Sequence, residues 1–233
     1  METRQEKLID GNLYTIELNT NELINHFNNS NNCTNEILHQ FNELSWYSEY
    51  LTEDDKIILD LGGNIGLFAL HVTPWAERII TVEPTPSHFD LNTQLTSRFP
   101  QIERIQSAIS NTTGQMTFYT FPSNTTMNSL INRGGSSFTV DCITIPDLIE
   151  KLGLNYVDFI KLDIEGSETI ALNDDIIKAF SDKVKKILIE FHEVGGIGYT
   201  EQRAIFEQIF IKCGYDIKHF GPDGLYCYKQ INK

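Results

Sequence analysis

Ile57-Ile58-Leu59-Asp60-Leu61-Gly62-Gly63-Asn64-Ile65-Gly66 is the stretch that decides how this chain folds. Ile57 to Leu59, with Leu61, read as a short buried strand. Gly62 and Gly63 break it, and Asn64 is placed to cap a helix whose first turns run from Ile65 through Leu70. A strand, a tight glycine turn and a helix start present backbone N–H groups and a positive helix end to a ligand. A second strand, Arg78 to Val82, leads straight into Glu83, an acid suited to accept hydrogen bonds from both hydroxyls of a ribose. The turn departs from G-x-G-x-x-G, because Asn64 stands where the second glycine belongs. Close passage of a pyrophosphate is thereby disfavoured, and a phosphate-free nucleoside, S-adenosyl-L-methionine, fits the pattern better.

Working outward, 233 residues with 40% apolar content suit one α/β domain with additional chain at the front. The expected division is an N-terminal extension over 1–50 and the main domain over 51–233. A formal charge of −14 argues against nucleic acid as a partner, since phosphate binding needs Lys and Arg. A small neutral acceptor remains compatible. No apolar run is long enough to span a bilayer, and the polar first residues lack a signal-peptide pattern. Cys33, Cys142, Cys213 and Cys227 form no C-x-x-C pair, so they read as reduced thiols of a cytoplasmic protein.

In the front segment, Asn12 to Leu18 alternates like a strand or hairpin arm, and Asn28 to Asn32 reads as a loop. Thr34 to Tyr50 has helical spacing, with Ile37, Leu38, Phe41, Leu44 and Trp46 on one face. Such a helix packs on the domain, covers the substrate as a lid, or forms a homodimer contact. From Lys56 onward strands and helices alternate, as in a mostly parallel sheet covered on both faces. The periodicity predicts a helix over Ser87 to Phe99, a third strand over Arg104 to Ile109 and an added antiparallel strand over Gln115 to Phe121. Pro122 to Ser137 is a long polar loop, a plausible substrate cover, with Asn128 and Ser129 in it. Thr144 caps a helix with Pro146 at its start. A fourth strand is predicted over Tyr156 to Leu162, a fifth within Lys183 to Phe191, a helix over Glu201 to Cys213, and a closing hairpin turning at Gly221 to Gly224.

In a parallel sheet the carboxyl ends of the strands line one crevice. Asp60, Gly62, Asn64, Gly66 and Glu83 make its cofactor side. Ser107 and Ala108, at the end of the third strand, stand where an adenine edge would lie. Asp163 ends the fourth strand, and Glu190 and His192 end the fifth. If those strands are neighbours, a carboxylate pair and an imidazole meet beside the sulfonium. His192, with an ordinary pKa near ~6.5, is suited to remove a hydroxyl proton, and Asp163 to orient it or take the proton itself. The competing arrangement makes Asp163, Glu190 and His192 ligands of Mg²⁺. Imidazole suits that ion poorly, so the metal-free site is preferred. Glu165 and Glu168 read equally well as acids offsetting a helix dipole, and Lys161 as a lysine paired with an acid at the core edge.

These residues together resemble the FkbM family of S-adenosylmethionine-dependent methyltransferases. Ile160 to Glu168 is similar to that family's Lys-x-Asp-x-Glu-Gly-x-Glu signature, Leu59 to Gly66 to its first motif, and Val82-Glu83-Pro84 to its second. Ile189 to His192 is similar to the acid-x-His that ends a later strand. The resemblance covers about Lys56 to His192. It implies a Rossmann-like class I methyltransferase fold: a seven-stranded mostly parallel sheet in the order 3-2-1-4-5-7-6, with helices on both faces. It also implies O-methylation of a sugar or small-metabolite hydroxyl. The alternative is a non-catalytic nucleoside-binding or scaffold protein that kept the cofactor side.

Overall fold

The computed structural model describes residues 2–9, 12–19, 44, 46–121 and 127–231. Two strands open it, β1 (Glu2–Ile9) and β2 (Asn12–Asn19), paired antiparallel as a hairpin of their own. Then follow β3 (Ile57–Leu61), α1 (Leu67–Val72), β4 (Arg78–Val82), α2 (Pro86–Thr96) and β5 (Ile102–Ile105). Next come β6 (Ala108–Ile109), β7 (Gly114–Tyr119), β8 (Ser137–Ile143) and α3 (Ile145–Lys151). The last part holds β9 (Phe159–Leu162), α4 (Glu168–Ala171), α5 (Asp174–Ser181), β10 (Lys186–Glu190), α6 (Tyr199–Lys212), β11 (Asp216–Phe220) and β12 (Gly224–Tyr228).

The large sheet runs β11-β12-β10-β9-β3-β4-β5. Numbering through the whole chain differs from the expected scheme because the front hairpin and a side sheet add strands. Counted within this sheet alone, the order is 3-2-1-4-5-7-6. β10, β9, β3, β4 and β5 are parallel, and β12 is antiparallel to both its neighbours. The second sheet, β6-β8-β7, holds the antiparallel addition expected after residue 114.

Alternation along the strands divides the core. Leu59, Leu61, Ile80, Ile160, Leu162 and Ile187 pack with α3, α5 and α6 on one face. Ile58, Ile79, Phe159 and Leu188 pack with α1, α2 and the segment around Leu44, Tyr47 and Leu51 on the other. On this second face Ile58 lies beside Ile79 and Phe159. Two residues further along, Asp60 lies beside Thr81 and Lys161. One more step reaches Gly62, Glu83 and Asp163, past the strand ends. A buried apolar rung therefore continues directly into the polar groups of the crevice.

Several boundaries differ from expectation. α1 starts at Leu67, and its N-cap is Gly66 with φ 87, without a side-chain hydrogen bond; Asn64 does not cap it. Asn64 itself takes φ 45 and belongs to the turn, which delays the helix by two residues. The predicted strand Arg104 to Ile109 is cut in two. Its front half pairs with β4, while Ala108 and Ile109 leave to pair with β8. Ser107 sits at the break and donates to the carbonyl of Asp141 at 3.0 Å. The fourth core strand begins at Phe159 rather than Tyr156. Most of the helix expected over Thr34 to Tyr50 lies outside the described residues. Leu44 and Tyr47, three apart, are buried, but Trp46 is 53% exposed and does not share their face. Thr144 caps α3 through Asp147, as its position predicts.

Asp158 fixes the start of the central register. It is fully buried, and its Oδ2 accepts from the N–H groups of Lys56 and Ile57, both at 3.0 Å. Removing that carboxylate leaves two N–H groups at the foot of β3 without this acceptor. Asp158→Ala is expected to lower stability by about 2–4 kcal/mol, measured as a fall in the urea midpoint with unchanged slope.

Candidate active site

The crevice is built on a turn that only glycine can make. Gly62 has φ +82, and a Cβ there would stand 1.7 Å from the carbonyl oxygen of Asp163. β3 and β9 thus come so close past their ends that a side chain at 62 would force them apart. The Gly62 and Gly63 N–H groups both donate to the carbonyl of Val82, at 3.1 and 2.9 Å. Glu83 closes the turn from the neighbouring strand. Its Oε2 accepts from Asn64 N–H at 2.9 Å and its Oε1 from Thr85 N–H at 2.7 Å. Asn92, from α2, donates to the Asn64 carbonyl and to Thr81 Oγ1.

Asp60 stands under this turn at 0% exposure, and neither carboxylate oxygen has a hydrogen-bond partner among the described residues. Burial pushes its pKa up to about 6, although Lys161 and the nearby Thr81 hydroxyl pull the other way. The Lys161 ammonium lies 3.7 Å from Asp60 Oδ1 and 3.1 Å from Asp163 Oδ2, and donates to the Gly62 carbonyl at 3.0 Å. Burial alone would lower the pKa of this lysine. Asp163 and Asp60 outweigh it and raise the value above the ordinary lysine range. The pairing expected of Lys161 is thus with two acids and a carbonyl at once.

β9 and β10 are neighbours, so the condition for a shared corner is met. His192 Nε2 lies 3.8 Å from Asp163 Oδ1 and 3.5 Å from Glu165 Oε2, and Nδ1 lies 3.2 Å from Glu168 Oε1. Burial disfavours a charged imidazole, but the Glu168 hydrogen bond and the charges of Glu168, Asp163 and Glu165 push its pKa up to about 10. Glu165 moves to about 8, because burial outweighs the attraction of His192. Burial also opposes charge on Asp163, yet Lys161 and His192 hold its carboxyl below the usual range. The three carboxylates thus favour the charged, donating form of the ring, whereas a general base at this position needs the neutral form.

Glu168 is fully buried, and its Oε1 also accepts from the N–H groups of Ile164 and Gly166. It is the orienting partner of His192, beyond the helix-dipole role weighed for it. Glu190 does not belong to the three-residue donor set. One ligand atom from each of Asp163, Glu165 and His192 lies within 4.8 Å of the others, and Glu165 takes the place expected of Glu190. Glu190 is felt instead at Lys161, whose pKa it raises. Register continues past the paired strands to bring Glu190 level with Asp163, with Ile189 beside Leu162, so strand pairing alone does not decide which acid joins the set. Ser107 and Ala108 are buried at the break between β5 and β6, not at the end of a continuous third strand. Asn128 and Ser129 are buried too. Asn128 Oδ1 accepts from Phe121 N–H, and Ser129 exchanges backbone hydrogen bonds with Tyr119. Thr81 and Asn92 join the polar network under the turn, and no local pattern marks them for it. Thr81 looks like any β-branched strand residue, and only its step of two from Ile79 marks its face. Cys142, Cys213 and Cys227 are free thiols, and no helix among the described residues is long and apolar enough to cross a membrane.

Comparison with known proteins identifies a family. AMB antimetabolite synthetase AmbE of Pseudomonas aeruginosa is 24% identical over 184 residues, covering 60% of this chain and 8% of that protein. The chain thus spans less than a tenth of the length of this curated relative. Among solved structures, Aeropyrum pernix fibrillarin with natively bound S-adenosyl-L-methionine is similar with a TM-score of 0.45 and 15% identity, over 74% of this chain and 66% of that one. Magnesium protoporphyrin IX methyltransferase of Synechocystis, also with the cofactor bound, gives a TM-score of 0.48 and 9% identity, over 84% and 81%. The family model described as the methyltransferase FkbM domain matches residues 60–217, from the acid under the glycine turn into β11. With more than half of its length under that match, the chain belongs to the FkbM methyltransferase family.

Proposed function

We propose that the crevice binds S-adenosyl-L-methionine and that the protein transfers a methyl group to a hydroxyl of a sugar or small metabolite. One observation carries the cofactor half: Asp60, fully buried beside the glycine turn, has two carboxylate oxygens without hydrogen-bond partners among the described residues. A buried acceptor left open in this way calls for a donor from outside the chain. Asp60 would meet the cationic amino-acid end. Gly62, Asn64 and Gly66 would clear room beside it, Glu83 would accept from the ribose hydroxyls, and Ser107 and Ala108 would border the adenine. When bound, the cofactor supplies a methyl carbon activated by an adjacent positive sulfur.

The chain's own part is position and proton transfer. Holding an acceptor oxygen in line and excluding water are worth about 7–11 kcal/mol in favourable cases. The imidazolium of His192 donates to the acceptor oxygen and keeps it beside Asp163. The hydroxyl proton passes to the ionised form of Glu165, whose proton affinity burial raises and which, unlike the charged ring, has an open site for it. The net charge of −14 favours a small acceptor over RNA. The relative's printed name, an antimetabolite synthetase, agrees with small-molecule chemistry. We also read 51–233 as the methyltransferase domain, with 1–50 as an appended segment.

A second reading is favoured by the donor set. Asp163, Glu165 and His192 offer three ligand atoms within 4.8 Å, enough for a divalent ion that would displace the imidazole proton and acidify the acceptor hydroxyl. Undiminished methyl transfer in excess EDTA selects the metal-free site; loss restored by Mg²⁺ or Mn²⁺ selects the ion.

Asp60→Ala is expected to weaken S-adenosylhomocysteine binding at least ~10-fold by isothermal titration. Unchanged affinity removes Asp60 from the cofactor site. Labelled methyl transfer to a panel of sugars and hydroxylated metabolites tests the reaction itself. Cofactor binding without transfer to any of them supports the non-catalytic scaffold. For an acceptor that is methylated, Glu165→Gln is expected to spare cofactor affinity and lower turnover by ~10²–10⁴.

A further inference from the structure

Arg133 comes from the loop after β7 and lies over the β9 end of the crevice. Shortly before it, Leu130 N–H donates to Ser167 Oγ at 3.0 Å, and Ser129 pairs with Tyr119. Gly166 makes room for the guanidinium. A Cβ at 166 would stand 2.7 Å from Arg133 Nη2, and φ there is +92, a backbone conformation that itself disfavours a side chain. Arg133 Nη1 is buried and has no hydrogen-bond partner among the described residues. The nearby acid is Glu165, which feels the charge of Arg133, but no ion pair within 4.0 Å joins them among the described contacts. Among the described residues, the other cations of this corner are engaged. Lys161 holds Asp60 and Asp163, and His192 holds Glu168.

A guanidinium presents donors in a planar fork that matches a carboxylate or phosphate with two parallel hydrogen bonds. A buried, unused arm of that fork, seated on a glycine beside the acceptor corner, is a site short of its ligand. We infer that Arg133 is an anion seat that takes a carboxylate or phosphate group inside the crevice. This rests on the cofactor reading, and it names two sources for the anion. One is the carboxylate at the amino-acid end of the cofactor; the other is an anionic group on the acceptor.

Three titrations on the full chain, wild type against Arg133→Gln, decide it. The first ligand is S-adenosylhomocysteine. The second is 5′-methylthioadenosine, which keeps the adenosine and thioether and lacks the carboxylate. In the third, inorganic phosphate or acetate is added to protein loaded with S-adenosylhomocysteine, followed at the Arg133 Nε–H resonance in the wild type and by calorimetry in both proteins. If the cofactor supplies the anion, Arg133→Gln weakens S-adenosylhomocysteine about 10- to 100-fold and leaves methylthioadenosine unchanged. If the acceptor supplies it, both nucleosides bind as before, and saturable phosphate or acetate binding disappears in the variant. Arg133→Lys, which keeps charge without the fork, restores part of either effect. Equal loss of both nucleosides, or no effect on nucleosides together with anion binding that is absent or identical in the two proteins, overturns the seat. A wild type that binds neither nucleoside defeats the cofactor reading instead, and the anion titration on unloaded protein then decides Arg133 alone.

Discussion

The Lys161 ammonium is the interaction on which the rest of the site depends. It is buried, and it reaches Asp60 on β3, Asp163 at the end of β9 and the carbonyl of the glycine turn between them. A lone buried charge is expensive, and so is each of the two acids. Together they hold one another in place, and the geometry that satisfies the lysine also sets the spacing of the turn. Asp163 is kept ionised by this contact and can then draw the imidazole of His192 towards it. The acid under the turn is left with spare acceptor capacity, because a single ammonium at 3.7 Å does not satisfy two carboxylate oxygens.

The fold was largely legible in the chain itself. Apolar runs bounded by glycine and proline mark the parallel strands, and each strand end carries a polar residue that has little reason to be there unless a crevice lies beyond it. Reading failed where the outcome depends on what lies across the sheet. Arg104 to Ile109 is one apolar-rich run, yet two different partners claim its halves, and no local pattern announces the change of sheet. Asn64 looks like a cap from its neighbours alone. Its backbone N–H is taken by Glu83, nineteen residues away, and the helix waits until Gly66.

The candidate site was half visible for the same reason. Asp60, Glu83, Asp163 and His192 could be named from their places at strand ends. The pull of three carboxylates on His192 could not, because they converge on it only after folding. Glu165 stands in the donor set where Glu190 was expected, and nothing local in the sequence ranks one acid above the other. Arg133 lies in a polar, glycine-rich loop where nothing local distinguishes it from a solvated surface residue.

The two-residue step that carries Ile58, Ile79 and Phe159 on to Asp60, Thr81 and Lys161 has a consequence for folding fidelity. A slip of one residue in any of these strands would turn its polar member into the opposite layer, among Leu59, Ile80 and Ile160. The chemistry-bearing side chains thus act as proofreaders of strand alignment. A molecule that has assembled its sheet wrongly has buried an uncompensated charge or hydroxyl, and it is poorly stable for the same reason that it would be inactive.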